Sequence, residues 1–241
     1  MKPMDDSVRV DLVTANHILA NESVLDAFGH VSVRHPLRPQ HFLLSCSRAP
    51  DLVTVEDILE FGADSELVTQ DGQSLYIERY IHGEIYRARP DVGAICHNHA
   101  TAIMPFCITG APIVPVYQHG AMIGPVVPVW DSRTEYGDTN LLVCESSQGA
   151  SLARALGSHW VVLMRRHGAT VVGTSLTELV FRTIATCRNA EFQLSARMLG
   201  PVEGLSAGEI AKAGQISPKA MDRALSYWKR RVLARRTQPQ I

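Results

Sequence analysis

Chemistry in this chain is concentrated in an HNH triplet at positions 97–99. In an extended strand, residues i and i+2 point to the same side, so His97 and His99 can present two imidazoles to one point in space. Imidazole suits zinc, iron, manganese and copper. A catalytic metal site wants a third protein ligand and then an open position. His167, in RRHGAT, is the candidate. It lies beside Gly168 at a predicted strand-to-strand turn, where glycine lets the backbone bend the side chain inward. Glu78 comes 19 positions before His97, on the helix predicted to lead into that strand. A carboxylate there can serve as a further ligand or as a general acid/base with a pKa raised by its surroundings. Plainer readings exist for each element. An HxH pair can simply be hydrogen-bonded, and Glu78 can be a surface carboxylate paired with Arg79 or His82.

The segments around these residues must hold them. Residues 7–22 carry apolar positions 10, 12, 13, 15, 18 and 19 and predict an amphipathic helix. FGHVSVRH (28–35) alternates like a strand, HFLLSCS (41–47) predicts a second, and 67–69 a third. Thr54 followed by Asp57 reads as a variant capping box opening a short helix that ends near Gly62. A helix over Tyr76–Ala88 is stopped by Pro90, and Gly93–His99 is a strand with Ile95, His97 and His99 on one face. From Thr101 to Trp130 there is no Asp, Glu, Lys or Arg, long enough to span a bilayer, yet five prolines interrupt it. Buried strands and connecting loops are expected there, not a membrane span. Further on come a helix over Ser147–Leu156, then two strands over Trp160–Gly173 with their turn at His167–Gly168. A capping box at Ser175 and Glu178 opens a helix over 176–199, and Ser217–Pro218 opens a last helix over about 217–235. Its basic end reads as a solvated face with favourable dipole placement.

The expected fold class is α/β: a central mostly antiparallel or mixed sheet flanked by helices, in a single domain over 1–241. The formal charge of −1 gives no general pull toward nucleic acid or acidic lipid. Five scattered cysteines without a CxxC pair indicate reduced thiols. MKPMDDSVRVDL has no apolar core of the kind a secretory leader needs. A cytoplasmic protein with a small-molecule substrate, no nucleic acid and no membrane is the expectation.

Helix-borne Glu78, then Arg87-x-Arg89-Pro90-Asp91-x-x-Ala94-x-x-His97-Asn98-His99-Ala100, then His167–Gly168 before a strand, resembles the class II aldolase/adducin family. The likeness runs from about residue 8 to about residue 200. It implies a class II aldolase-like fold and a homotetramer with active sites at subunit interfaces. It also implies a divalent metal ion (zinc, manganese or iron) on His97, His99 and His167, with Glu78 as catalytic glutamate. Tyr117 falls near a family tyrosine that reaches into a neighbouring subunit's site.

Against the family's sugar-phosphate aldolases, three loops differ. The resemblance implies Gly-Asn at Gly29–His30, Thr-Gly near Ser47–Arg48, and Ser-Ser at Tyr76–Ile77. A phosphate needs convergent donors and closely approaching backbone, and all three places have lost the residue types that supply them. His30, Arg48, Tyr76 and Arg34 instead offer cationic or aromatic surfaces, and the Arg fork suits a carboxylate. FGHVSVR and DSRTEYGDTNLLV (131–143) also resemble a branch containing decarboxylases of hydroxylated aromatic or pyridine dicarboxylates, such as 3,4-dihydroxyphthalate. The expected activity is therefore metal-dependent decarboxylation of an ortho-hydroxylated aromatic di-acid. Glu78 is the expected acid, with His30 in reserve, and Arg48 or, after a small loop shift, Arg34 clamps the second carboxylate. The alternatives are retro-aldol cleavage of an unphosphorylated hydroxy-keto acid, iron-dependent oxygenation, and a non-catalytic adducin-like module.

Overall fold

The computed structural model describes residues 4–69 and 72–237; Met1–Pro3, part of the stretch read as lacking a leader, lie outside them. The chain opens with helix α1 (Met4–Asn21), whose Leu12, Ala15, Ile18 and Leu19 are buried. Strands β1 (His30–Arg34), β2 (Phe42–Ser45) and β3 (Ile58–Phe61) follow, then helix α2 (Arg79–Ala88) and strand β4 (Ala94–Asn98). After the short helix α3 (Met104–Thr109) come β5 (Val129–Trp130), α4 (Arg133–Tyr136) and α5 (Ser146–Leu156). Strands β6 (Val161–Met164) and β7 (Gly168–Gly173) and helices α6 (Leu176–Arg197), α7 (Ala207–Ala213) and α8 (Pro218–Arg236) complete it.

One seven-stranded sheet, in the order β3-β2-β1-β4-β7-β6-β5, carries the molecule. Every pairing is antiparallel except β5 with β6. Successive side chains of a strand leave by opposite faces, so the sheet splits the core in two. On one face Val31, Leu43, Cys96, Leu163 and Val171 pack with α1, α3, α6 and α8. On the other, Phe42, Leu44, Ile95, Val162 and Val172 meet Ile81 and Ile85 of α2 and Leu152 and Leu156 of α5. The mixed sheet flanked by helices agrees with the sequence expectation. Among the described residues no helix is long and apolar enough to cross a membrane. All five cysteines are free.

Local departures have local causes. Thr54 and Asp57 do form a capping box, but they cap a single 3-10 turn (Val55–Asp57) rather than a helix reaching Gly62. The β-branched and apolar residues after it continue as β3, which buries Phe61 against Phe42. The strand expected at 67–69 is reduced to an isolated bridge between Phe61 and Leu67. The charge-free stretch holds no run of buried strands. Pro105 starts α3 at a position where its missing N–H costs nothing, and left-handed Gly110 ends it. A 3-10 segment (Gln118–Ile123) and the two-residue β5 take up most of the rest. Helix α7 was not anticipated, although Ser206 and Glu209 form a full capping box at its start.

Candidate metal centre

Four side chains from three places meet at the end of β4. His97 is the penultimate residue of that strand, and His99 follows just past its end. In the sheet, His97 has His30 of β1 on one side and Thr170 of β7 on the other. His167 lies in the turn between β6 and β7. Glu78 stands at the N-cap of α2 and not inside the helix, since α2 begins at Arg79 rather than Tyr76. It is nonetheless only 7% exposed, which removes the reading of a surface carboxylate.

Gly168 matters for closeness and not for conformation. The left-handed residue of the turn is Arg166, at φ 58°. A Cβ on Gly168 would lie 2.4 Å from the carbonyl oxygen of Asn98 and 2.9 Å from the His99 ring, so glycine lets β7 start directly against the HNH segment.

One nitrogen from each imidazole and a Glu78 oxygen all lie within 4.8 Å of one another. His97 Nε2 and His167 Nε2 are each 3.5 Å from Glu78 Oε2, and His97 Nε2 is 3.0 Å from His99 Nε2. These gaps are close to the edge of a coordination polyhedron with bonds of roughly 2.0–2.1 Å.

The far side of each ring explains why the Nε2 atoms face inward. His167 Nδ1 lies 2.7 Å from the carbonyl oxygen of Leu141, which can only accept, so Nδ1 carries the hydrogen and Nε2 the lone pair. His99 Nδ1 is 3.7 Å from Asp26 Oδ1, and His97 Nδ1 is 3.4 Å from Thr170 Oγ1, whose hydroxyl donates onward to Met164 Sδ. Outer partners of this kind fix ligand tautomers in metal sites. Three lone pairs and a carboxylate converging on one point repel unless a cation lies between them. The donor set fits a divalent ion held by His97, His99 and His167, with Glu78 within reach of the same point.

The four groups differ in their preferred charge. Burial would push the Glu78 carboxyl up, but the His97 and His167 rings beside it and the Val143 N–H, 3.0 Å from Oε1, hold it down at about 2. Glu78 is thus ionised at neutral pH, contrary to the raised value expected of an acid. Burial lowers His97 and His99. It would lower His167 too, but the Glu78 carboxylate outweighs it and raises that ring.

A cleft of about 410 Å³ opens onto the cluster. His30, Arg48, Tyr76 and Ile77 line it with Glu78, His99 and His167, and Phe28 and Leu142 add apolar surface. Tyr76 is buried and donates to the Arg48 carbonyl, while Arg48 Nη1 lies 3.3 Å from Asp57 Oδ1.

A family model, the Class II Aldolase and Adducin N-terminal domain, matches residues 10–194. The chain belongs to that family. Decarboxylase tropJ of Talaromyces stipitatus is 34% identical over 91% of this chain and 92% of its own length. A 3,4-dihydroxyphthalate decarboxylase of Terrabacter sp. is 28% identical over 85% of this chain and 87% of its own. Among solved structures, the L-fuculose 1-phosphate aldolase from Glaciozyma antarctica superposes with a TM-score of 0.77 at 25% identity, covering 94% of this chain and 88% of that one. The chain is thus similar in sequence to decarboxylases and in fold to an aldolase.

Two expected site residues lie elsewhere. Arg34 donates to the carbonyls of Val92, Pro39, Tyr86 and Arg89 and stacks on the Tyr86 ring, so its guanidinium straps β1 to α2 and is absent from the cleft lining. Tyr117 donates to the Ala185 carbonyl and packs against His119 and Phe192, outside the cleft of its own chain. Other contributors were missed. The stretch 131–143 supplies the Leu141 carbonyl for His167 and the Val143 N–H for Glu78, and Leu141 adopts φ 69°. Asp26 and Thr170, behind His99 and His97, carried no motif that marked them.

Proposed function

We propose that this chain is a metal-dependent carbon–carbon lyase that decarboxylates an ortho-hydroxylated aromatic dicarboxylate. The observation that carries this reading is the cleft wall. Beside four convergent ligand-type groups it has the apolar and aromatic side chains of Tyr76, Ile77, Phe28 and Leu142 and one guanidinium, Arg48. Such a wall suits a planar ring bearing carboxylates; Ser47 is the one serine or threonine among the described residues of the lining, and Tyr76–Ile77 stand before the glutamate. The decarboxylase relatives support the same direction.

When bound at the three histidines, a divalent ion would supply Lewis-acid polarisation of the substrate's oxygen atoms. Glu78, held as a carboxylate, takes the proton of the ring hydroxyl. It returns that proton to the ring carbon bearing the departing carboxylate, which leaves a ketone beside a tetrahedral carbon. The bond to the carboxylate then breaks, CO2 leaves, its electron pair restores the aromatic ring, and the regained phenolate takes a proton from water. Arg48 holds the second carboxylate and fixes orientation. An ionised Glu78 also suits the base of a retro-aldol cleavage of an unphosphorylated hydroxy-keto acid. A pyruvate-coupled assay separates that second reading from CO2 release.

The test is CO2 release from 3,4-dihydroxyphthalate and related di-acids by metal-loaded protein. Arg48→Ala should raise KM for the di-acid by about one to two orders of magnitude, the loss of one charge-assisted bond. It should cost little toward a mono-acid lacking the clamped group. Equal losses for both would remove Arg48 from the scheme. Saturable cleavage of a sugar phosphate by the wild-type protein would overturn the decarboxylase reading.

A further inference from the structure

Behind the cleft runs a file of four buried polar side chains that leads away from the ligand cluster. His30 Nδ1 lies 2.7 Å from His82 Nε2, His82 Nδ1 lies 2.6 Å from Ser32 Oγ, and Ser32 Oγ lies 2.9 Å from the Tyr86 hydroxyl. The relative exposures of His30, Ser32, His82 and Tyr86 are 1%, 0%, 0% and 5%. His30 lines the cleft, and with Nδ1 engaged by His82 its free nitrogen is Nε2.

The chain has a direction that can be worked out from its closed end. The Tyr86 hydroxyl has Ser32 as its hydrogen-bond partner among the described residues. A buried phenol hydrogen without an acceptor is costly, so Tyr86 donates to Ser32. Ser32 has one hydrogen, and it must then go to His82 Nδ1. With Nδ1 accepting, a neutral His82 carries its hydrogen on Nε2 and gives it to His30 Nδ1. His30 is left with its own hydrogen on Nε2. Run in the opposite sense, the file strands the phenol hydrogen in the core. Burial keeps His82 uncharged, holding its pKa near 3.

We propose that Ser32 and His82 are positioning residues that hold His30 as a neutral Nε2–H donor aimed into the cleft, where it accepts no proton and instead binds an anionic or carbonyl oxygen of the substrate. This rests on the cleft being the substrate's seat, but not on the identity of the reaction. It also assigns His30 a role different from a reserve acid, because a neutral imidazole N–H donates a hydrogen bond without giving up its proton.

Histidine side-chain nitrogen NMR on the full-length protein, loaded with diamagnetic zinc, tests the tautomers directly. His30→Gln and His82→Gln assign the two rings by loss of their signals. Both rings of the wild-type protein should show the Nε2–H pattern. In Ser32→Ala the hydroxyl hydrogen that fixes the direction is gone, and a water in its place can donate or accept, so an Nδ1–H population should appear. Tyr86→Phe should keep the wild-type pattern, because Ser32 still has His82 Nδ1 as its acceptor. If the two directions become equal, kcat/KM falls about twofold, the fraction of competent molecules. An Nδ1–H His30 in the wild-type protein overturns the proposal, as does a pattern unchanged in Ser32→Ala. Since the spectra need no substrate, failure of the decarboxylase reading leaves this result intact.

Discussion

Glu78 is the residue whose role changes most between sequence and structure. A buried carboxylate is expected to gain a proton, because burial penalises its charge. Here two imidazoles and a backbone N–H oppose burial and hold it near 2. Glu78→Gln should therefore retain metal, because three histidines remain, yet lose turnover by about two to four orders of magnitude. Wild-type turnover at full metal occupancy would remove the glutamate from the chemistry. By contrast, His97→Ala, His99→Ala and His167→Ala should each lose bound metal by elemental analysis while staying folded. The depressed pKa also has a sign. A carboxylate lowered on folding contributes stability that is full above its ordinary value of 4.5 and is lost as pH falls toward 2. Acid unfolding of chelator-treated protein should accordingly be steeper between those values for the wild type than for Glu78→Gln.

At the scale of elements, the site depends on how closely backbones approach. The start of β7 meets the HNH segment at Gly168, where a Cβ would press on the Asn98 carbonyl and the His99 ring. Backbone cannot yield as a flexible side chain can. Gly168→Ala should therefore displace His99 or His167, weakening metal binding by at least tenfold in a competition titration. Overpacking should lower stability by about 1–3 kcal/mol in urea unfolding. A variant with wild-type metal affinity would show that the HG turn serves only the chain reversal. Helices α2 and α5 use the same device. Gly149 brings α5 against the Tyr80 carbonyl, and Ser146 donates to the buried Glu84 at 2.5 Å. That packing holds the first turn of α2, and with it Glu78, against the sheet.

The whole molecule leaves large apolar side chains exposed at the cleft mouth, Phe28 at 72% and Ile77 at 50%, and others at the end of α6, Met198 at 82% and Leu199 at 92%. The family resemblance and Tyr117, outside its own chain's cleft, lead to the expectation of a homotetramer whose sites are completed across subunits. Light scattering should give four copies, and an active monomer would refute that assembly. Removing metal should also lower the thermal midpoint, since an ion bound only by the folded state adds stability that grows with the logarithm of its free concentration over its Kd. An unchanged midpoint after chelation would mean that the cluster binds no ion.

What could be read without coordinates was whatever local geometry dictates. The i, i+2 spacing of His97 and His99, the His167–Gly168 turn and the capping residues of the long helices follow from strand and helix periods alone. Even the buried file was partly legible. His30 and Ser32 share a strand face, and Glu78, His82 and Tyr86 recur every four residues from the N-cap of α2 onward. Only the tertiary structure brought those two rows together, because α2 and β1 are far apart in sequence and their pairing is set by the packing of Phe42, Ile81 and Ile85 on one sheet face. The same holds for charge. Spacing put a carboxylate near three imidazoles, but whether that carboxylate is an acid or an anion depends on distances of a few ångströms and on the Val143 N–H, contributed from 65 residues away. Arg34 shows the limit most plainly: a guanidinium suits a substrate carboxylate as well as four backbone carbonyls, and only the packed chain decides which lies within its reach.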